Sequence, residues 1–189
     1  MAIRTKHWTR LEYERLIDLG VFGPDDRLEL LGGQLIVREP QGRPHSTAIR
    51  LVAQALRAAF GPGWIIEAQL PVSLDEESEP EPDVTVVAGA PREYLQGHPA
   101  RPVLVVEVAL SSLALDRGEK ASLYARAGLA DYWIVNLVDH LLEVYRDPVA
   151  APDSPYGWRY RSVLTLRTGD RVRPMSAPDA EILVADLLP

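Results

Sequence analysis

Apolar positions along the chain recur at two periods, helical and alternating, and their order predicts αββαββ, then βαββ, then a β-rich tail. Thr9 and Glu12 form a T-x-x-E capping box ahead of a helix reaching about Leu19, with Gly20 and Pro24 ending it. Arg27 to Leu31 and Gln34 to Arg38 read as two short strands turning at Gly32-Gly33. Ala48, Leu51, Val52, Ala55, Leu56 and Ala59 share one helical stripe, which predicts an amphipathic helix from His45 to Phe60, stopped by Gly61-Pro62-Gly63. Strands follow at Trp64 to Leu70 and Asp83 to Val87. The acidic, proline-broken stretch from Asp75 to Pro82 lies between them and reads as a solvated loop or a flexible flap. Val103 to Val108 is a nearly continuous apolar run, as expected of a strand buried on both faces. A helix from about Leu115 to Ala127 comes next, then strands at Tyr132 to Asn136 and Leu141 to Tyr145. Past Pro155, Trp158, Tyr160, Leu164 and Leu166 alternate with Arg159, Arg161 and Arg167. The pattern predicts an α/β domain, a mixed sheet with helices packed on it.

Length and composition agree with that picture. The 189 residues suffice for one α/β domain and are short for two. The chain has no cysteine, which excludes disulfides and cysteine zinc sites. No apolar leader opens it and no run approaches the roughly 20 residues of a membrane span, so a cytoplasmic protein is expected. The net charge of −7 does not suit a structural nucleic-acid binder, though an enzyme that meets nucleic acid briefly need not be basic.

Candidate chemistry centres on carboxylates. Asp83 opens one strand and Glu107 lies near the end of the next. If these strands run antiparallel, the two side chains sit side by side, and such a pair repels itself unless a cation or proton lies between them. Hard oxygen donors of this kind suit magnesium, with manganese as a possible substitute. Glu107 shares a strand face with Val103 and Val105, where an ionised carboxylate is costly unless it is paired or metal-bound. The plainer readings are an arginine-paired glutamate and, for Asp83, a turn residue after Pro82. Asp116, Lys120, Leu123 and Ala127 fall on one helical face, which aims Lys120 at the sheet end holding Glu107; the plainer reading is an Asp116–Lys120 ion pair on the helix. Tyr124, Tyr132 and Trp133 read as core. The sequence lacks a dinucleotide fingerprint, a P-loop and a nucleophile elbow, and His7, His45, His98 and His140 have no metal-ligand spacing.

Taken together, Glu81-Pro82-Asp83-Val84, Leu104-Val105-Val106-Glu107-Val108, Asp116…Lys120…Tyr124 and Gly128…Asp131-Tyr132-Trp133-Ile134-Val135 resemble the Uma-type branch of the PD-(D/E)XK nuclease superfamily. Leu28 to Leu35 and His45 resemble that family's first strands and second helix, so the likeness runs from about Thr9 to Tyr145. It implies a restriction-endonuclease-like core and a magnesium-dependent nuclease acting on DNA. In that reading Asp83, Glu107 and the Val108 carbonyl hold the metal, Lys120 is the catalytic lysine and Glu29 is an added acidic residue. The general superfamily signature places a lysine two residues after the acidic one; here that position is Ala109, and the role passes to Lys120. His45, near the expected cleft, and the outward Arg159 and Arg161 are candidate substrate contacts. A homodimer is expected by analogy with nucleases that cut both strands. Two rivals stand beside this reading: a nuclease fold kept as an inactive scaffold, and a hydrolase of another phosphate ester.

Overall fold

The computed structural model describes residues 5–23, 25–38 and 40–189; the expectation that Pro24 helps to end the first helix lies outside them. Helix α1 (Arg10–Asp18) starts at the expected capping box. The Thr9 hydroxyl accepts from the Glu12 N–H, and the Glu12 carboxylate accepts from the Thr9 N–H. Strands β1 (Leu28–Leu31) and β2 (Gln34–Val37) form a separate antiparallel hairpin. Its turn residues Gly32 and Gly33 have φ of 54° and 79°, the paired left-handed conformation of a two-residue hairpin turn. A Cβ on Gly32 would also stand 2.3 Å from the Tyr156 ring, so backbone and packing both demand glycine there.

The main sheet has six strands in the order β3-β4-β5-β6-β7-β8: β3 (Trp64–Ala68), β4 (Val84–Ala88), β5 (Leu104–Ala109), β6 (Asp131–Asn136), β7 (Leu141–Ala150) and β8 (Trp158–Leu166). Only β5 and β6 pair in parallel; the other neighbours are antiparallel. The β5–β6 connection carries a composite helix across one face of the sheet. On that face Val105, Ala109, Tyr124, Tyr132, Ile134, Tyr145 and Tyr160 form one core cluster. On the other face α2 (Arg43–Phe60) packs Ala48, Val52 and Leu56 against Val84, Val86, Val106 and Val108. The C-terminal tail closes the same face. Strands β9 (Arg171–Val172) and β10 (Ile182–Leu183) pair with each other, and Val172, Ile182, Val184 and Leu187 join the α2 core.

Four local expectations change. First, the acidic stretch is no solvated flap. Leu30 and Glu79 exchange backbone hydrogen bonds and the Gly33 N–H donates to the Glu77 carbonyl, so the segment docks on β1; only Glu76 and Glu77 are exposed. Second, Val103 precedes β5 and packs with the α2 cluster, not beside Val105. Third, the predicted helix from Leu115 to Ala127 is three pieces: α3 (Leu113–Leu115), a π-helical turn (Asp116–Lys120) and α4 (Ala121–Arg126). A π turn inserts an extra residue into the helical repeat and shifts the phase of the turns after it. Asp116, Lys120 and Leu123 are buried as expected and Tyr124 is buried with them, while Ala127, expected inward, is exposed at the end of α4. Fourth, β7 runs five residues past Tyr145, through Pro148. There it overhangs β6, whose pairing ends at Asp131–Arg146, and bonds to β8 alone, so proline's missing N–H costs no ladder bond.

Candidate active site

The end of β5, the start of β4 and the π-helical turn meet around one cleft. Val84 pairs with Val106 across the antiparallel β4–β5 ladder, which brings Asp83, one residue outside β4, beside Glu107. Two hydrogen bonds lock them: the Asp83 N–H donates to Glu107 Oε2 (3.3 Å), and the Val108 N–H donates to Asp83 Oδ2 (2.8 Å). Ala109 accepts from the Leu137 N–H on the β6 side, so by strand alternation the Val108 carbonyl faces the β4 side, where Asp83 lies.

Lys120 completes the group. Its Nζ lies 3.1 Å from Glu107 Oε1 and 3.2 Å from Glu29 Oε1, at the sheet end where the helical spacing aims it, and not in the plainer Asp116 pair. Glu29 reaches in from β1 and its other oxygen accepts from the Glu81 N–H (3.2 Å). Glu29, Asp83, Glu107, Asp116 and Lys120 are all between 1% and 5% exposed. Four acids thus surround one lysine in a place largely closed to water. Burial pushes the Glu107 carboxyl up to about 8, opposed by Lys120 and reinforced by Asp116, Asp83 and Glu29. Burial likewise raises Asp116 to about 6, against the pull of Lys120 and of the Ser112 hydroxyl, which donates to it at 2.6 Å. For Lys120 burial acts downward, but Glu107, Glu29, Asp116 and Asp83 outweigh it and hold the ammonium above the ordinary lysine range. The surrounding acids therefore favour the charged form of Lys120.

Tyr124, Gln41 and Arg38 join the group without having been expected there, and His45, expected near the cleft, touches Asp83. The Tyr124 hydroxyl, expected only to pack, donates to Glu107 Oε1 (2.8 Å), one helical turn beyond Lys120. His45 Nε2 lies 3.0 Å from Asp83 Oδ1, and Gln41 Nε2 lies 3.3 Å from the same oxygen. Arg38 stands 3.9 Å from Asp83 and pairs with Glu81. Lys120-x-x-x-Tyr124 and Ser112-x-x-x-Asp116 carry a helical-spacing signal; Arg38 and Gln41 carry none, because only the tertiary fold brings their loop to Asp83.

Arg159 and Arg161 are not part of this group. They lie on β8, three strands from β5, about 14 Å at the usual strand spacing. Arg159 registers with Val149 at the sheet end opposite the cleft, where Arg161 pairs with Asp147 (3.3 Å).

The donor chemistry fits a hydrated magnesium ion more closely than a fully caged one. Among the described residues no three His, Cys, Asp or Glu side chains are grouped to hold a metal. Asp83, Glu107 and the Val108 carbonyl offer hard oxygens within a negative surround, and each carboxylate oxygen that accepts one hydrogen bond keeps a free lone pair. Magnesium commonly binds through one or two carboxylates and keeps several waters.

A sequence model of the Uma2 family, described as "Putative restriction endonuclease", matches residues 11–185. The chain belongs to the Uma2 family. The match extends beyond Tyr145 through the tail that closes the α2 core. The Uma2 chain also shares its fold with a crystal structure from Anabaena variabilis ATCC 29413 titled as "a putative nuclease belonging to DUF820". The two superpose with a TM-score of 0.65 over 90% of this chain and 94% of that one, at 19% identity, a likeness of fold. A comparison with curated proteins gave no match. Against this Uma2 background Ala109 makes physical sense. Two residues after Glu107 it belongs to the core cluster with Ala121 and Tyr124, and the lysine reaches Glu107 from the π turn instead.

Proposed function

We propose that this Uma2 chain is a magnesium-dependent endonuclease that hydrolyses phosphodiester bonds in DNA, working as a homodimer in the cytoplasm. The observation that carries the reading is the convergence of Lys120 on Glu107 and Glu29 beside Asp83, from elements far apart in sequence. Asp83, Glu107 and the Val108 carbonyl would hold magnesium, with manganese as a substitute. Bound there, the ion would supply charge neutralisation at the scissile phosphate and a more acidic water.

The chain's own residues do the rest. His45 and Gln41 fix Asp83 Oδ1, the Val108 N–H fixes Oδ2, and Tyr124 fixes Glu107, so the carboxylates are set before substrate arrives. The Lys120 ammonium, favoured in its charged form, donates to a phosphate oxygen as negative charge builds there while water attacks phosphorus and the bond to the leaving sugar oxygen breaks. Its burial strengthens that contact, since little water screens it.

One observation favours a second reading, a nuclease fold retained for binding. Each oxygen of Asp83 and Glu107 already has a hydrogen-bond donor within the chain, and the net charge of −7 opposes tight binding to nucleic acid. The two separate on a substrate panel of supercoiled DNA, single-stranded DNA, RNA and nucleotides with magnesium. The nuclease reading predicts cleavage of DNA that is lost on adding a chelator. Turnover of nucleotides alone would move the protein to another phosphoesterase class, and no turnover of any substrate would favour the binding protein.

A further inference from the structure

A second cleft, of about 490 Å³, opens beside the first, and Arg38 and Gln41 line both. That size lies in the usual range of small-ligand sites, roughly 300–1,000 Å³. Phe22 forms part of its wall, half-buried against Tyr13 with ring centroids 6.1 Å apart. Arg27 and Gln69 also line it, and both have positive φ, 41° and 55°. Non-glycine residues persist in that conformation where surrounding structure enforces it, and they gather at ligand sites. Here the enforcement is visible. The Arg27 carbonyl accepts from the Arg38 N–H (2.8 Å), and the Gln69 N–H donates to the Asp83 carbonyl (3.2 Å).

The Gln69 side chain continues the link. Its Nε2 donates to Gln41 Oε1 (2.8 Å), and Gln41 Nε2 donates to Asp83 Oδ1 (3.3 Å). An amide relay therefore connects the second cleft to the candidate catalytic carboxylate. With one N–H spent on Gln41, Gln69 keeps a second N–H and a carbonyl oxygen, one donor and one acceptor at adjacent positions. That pair matches the edge of a nucleobase, and the exposed part of Phe22 offers a face for stacking.

We propose that the second cleft receives the base of a nucleotide next to the scissile phosphate, with Gln69 reading its edge, Phe22 stacking on it and Arg38 facing the phosphate between the two clefts. The inference rests on the nuclease reading of the first cleft and deepens it by naming the substrate class. A base can enter such a cleft only when it is unpaired, so the substrate is single-stranded nucleic acid or an unpaired end, not continuous duplex.

Binding tests this separately from catalysis. A fluorescent single-stranded DNA hexamer, the same hexamer with one internal abasic position, and a duplex of the same sequence are titrated with calcium in place of magnesium. The probes are the wild type, Gln69→Gly and Phe22→Ala. Glycine at position 69 relieves the positive φ, so a loss of binding there is not a loss of fold. The expected result is preference for the single strand over the duplex, with about a tenfold loss of single-strand affinity in either variant, comparable to one lost stacked base. The variants should lose little further affinity on the hexamer whose abasic position falls in the cleft. Equal binding of duplex and single strand, or single-strand affinity unchanged in both variants, would overturn the subsite. Cleavage of duplex DNA by both variants at wild-type rates would overturn it while leaving the nuclease reading standing. Single-strand binding with no cleavage of any substrate under magnesium would do the reverse.

Discussion

Lys120 and Glu107 meet at 3.1 Å although one sits on a helical crossover and the other at the end of a buried strand. Both are almost wholly enclosed, so the Lys120 ammonium depends on the acids packed around it. Lys120→Ala would strand Glu107 and Glu29 in a low-dielectric site. Breaking one side of a buried pair costs about 3–5 kcal/mol. For a chain of this size the melting temperature should fall by roughly 6–20 °C, measured by calorimetry at neutral pH. A shift below about 2 °C would mean that the pair is solvated in solution.

Tyr124 makes a subtler test. Tyr124→Phe keeps the ring in its tyrosine cluster and removes only the donor to Glu107. A hydrogen bond contributes about 0.5–1.5 kcal/mol net, so a stability loss of that order is expected, with cleavage falling more steeply than substrate binding. A fall in stability with full activity would make Tyr124 a packing residue alone.

Glu79 predicts a pH dependence away from the cleft. Burial pushes its carboxyl up to about 7, helped by the neighbouring Glu14 and opposed by the Ser73 hydroxyl. Between its ordinary value of about 4.5 and about 7 the folded chain holds a proton that the unfolded chain releases. This contribution is therefore full below pH 4.5, falls as pH rises towards 7, and is gone above it. Glu79→Gln should flatten the decline in melting temperature over that window relative to wild type, and should be the more stable protein at pH 8. Parallel curves for the two proteins would show that Glu79 titrates normally.

The placement of the arginines gives a paired comparison. Arg159 and Arg161 stand at the far edge and far end of the sheet, whereas Arg38 borders both clefts. Arg159→Ala and Arg161→Ala should leave cleavage within about twofold of wild type, and Arg38→Ala should weaken it by tenfold or more, since charge-assisted contacts to phosphate are among the stronger hydrogen bonds. Steady-state kinetics on one oligonucleotide substrate decides between them.

The strands and helices of the sheet are legible in the sequence because their apolar periods are clean. The Val103 to Val108 run, the α2 stripe, the Gly32-Gly33 turn and the T-x-x-E cap each find their element. Asp83, Glu107 and Lys120 are suggested by strand order and helical spacing and Glu29 only by the family resemblance, and the antiparallel β4–β5 ladder brings the first two together. The features that stay hidden depend on tertiary contact. The docking of Glu79 on Leu30 turns a charged, proline-rich stretch into buried structure through backbone pairing that no local pattern records. The π-helical turn around Gly118 has no local signature, since helical spacing assumes that it is absent. Arg159 and Arg161 look eligible by charge and alternation alone; strand order and register place them elsewhere.

In the proposed reaction Asp83, Glu107 and Lys120 act as one unit in phosphodiester cleavage. Cleavage of one DNA substrate with magnesium is compared for wild type, Asp83→Ala, Lys120→Ala and the double variant, each first shown to be folded by circular dichroism. Residues that act as a unit give strongly non-additive losses. Both single variants should therefore lose nearly all activity, and the double variant should be little worse than either. Losses that multiply in the double variant, or equal cleavage by all four proteins, would contradict the account.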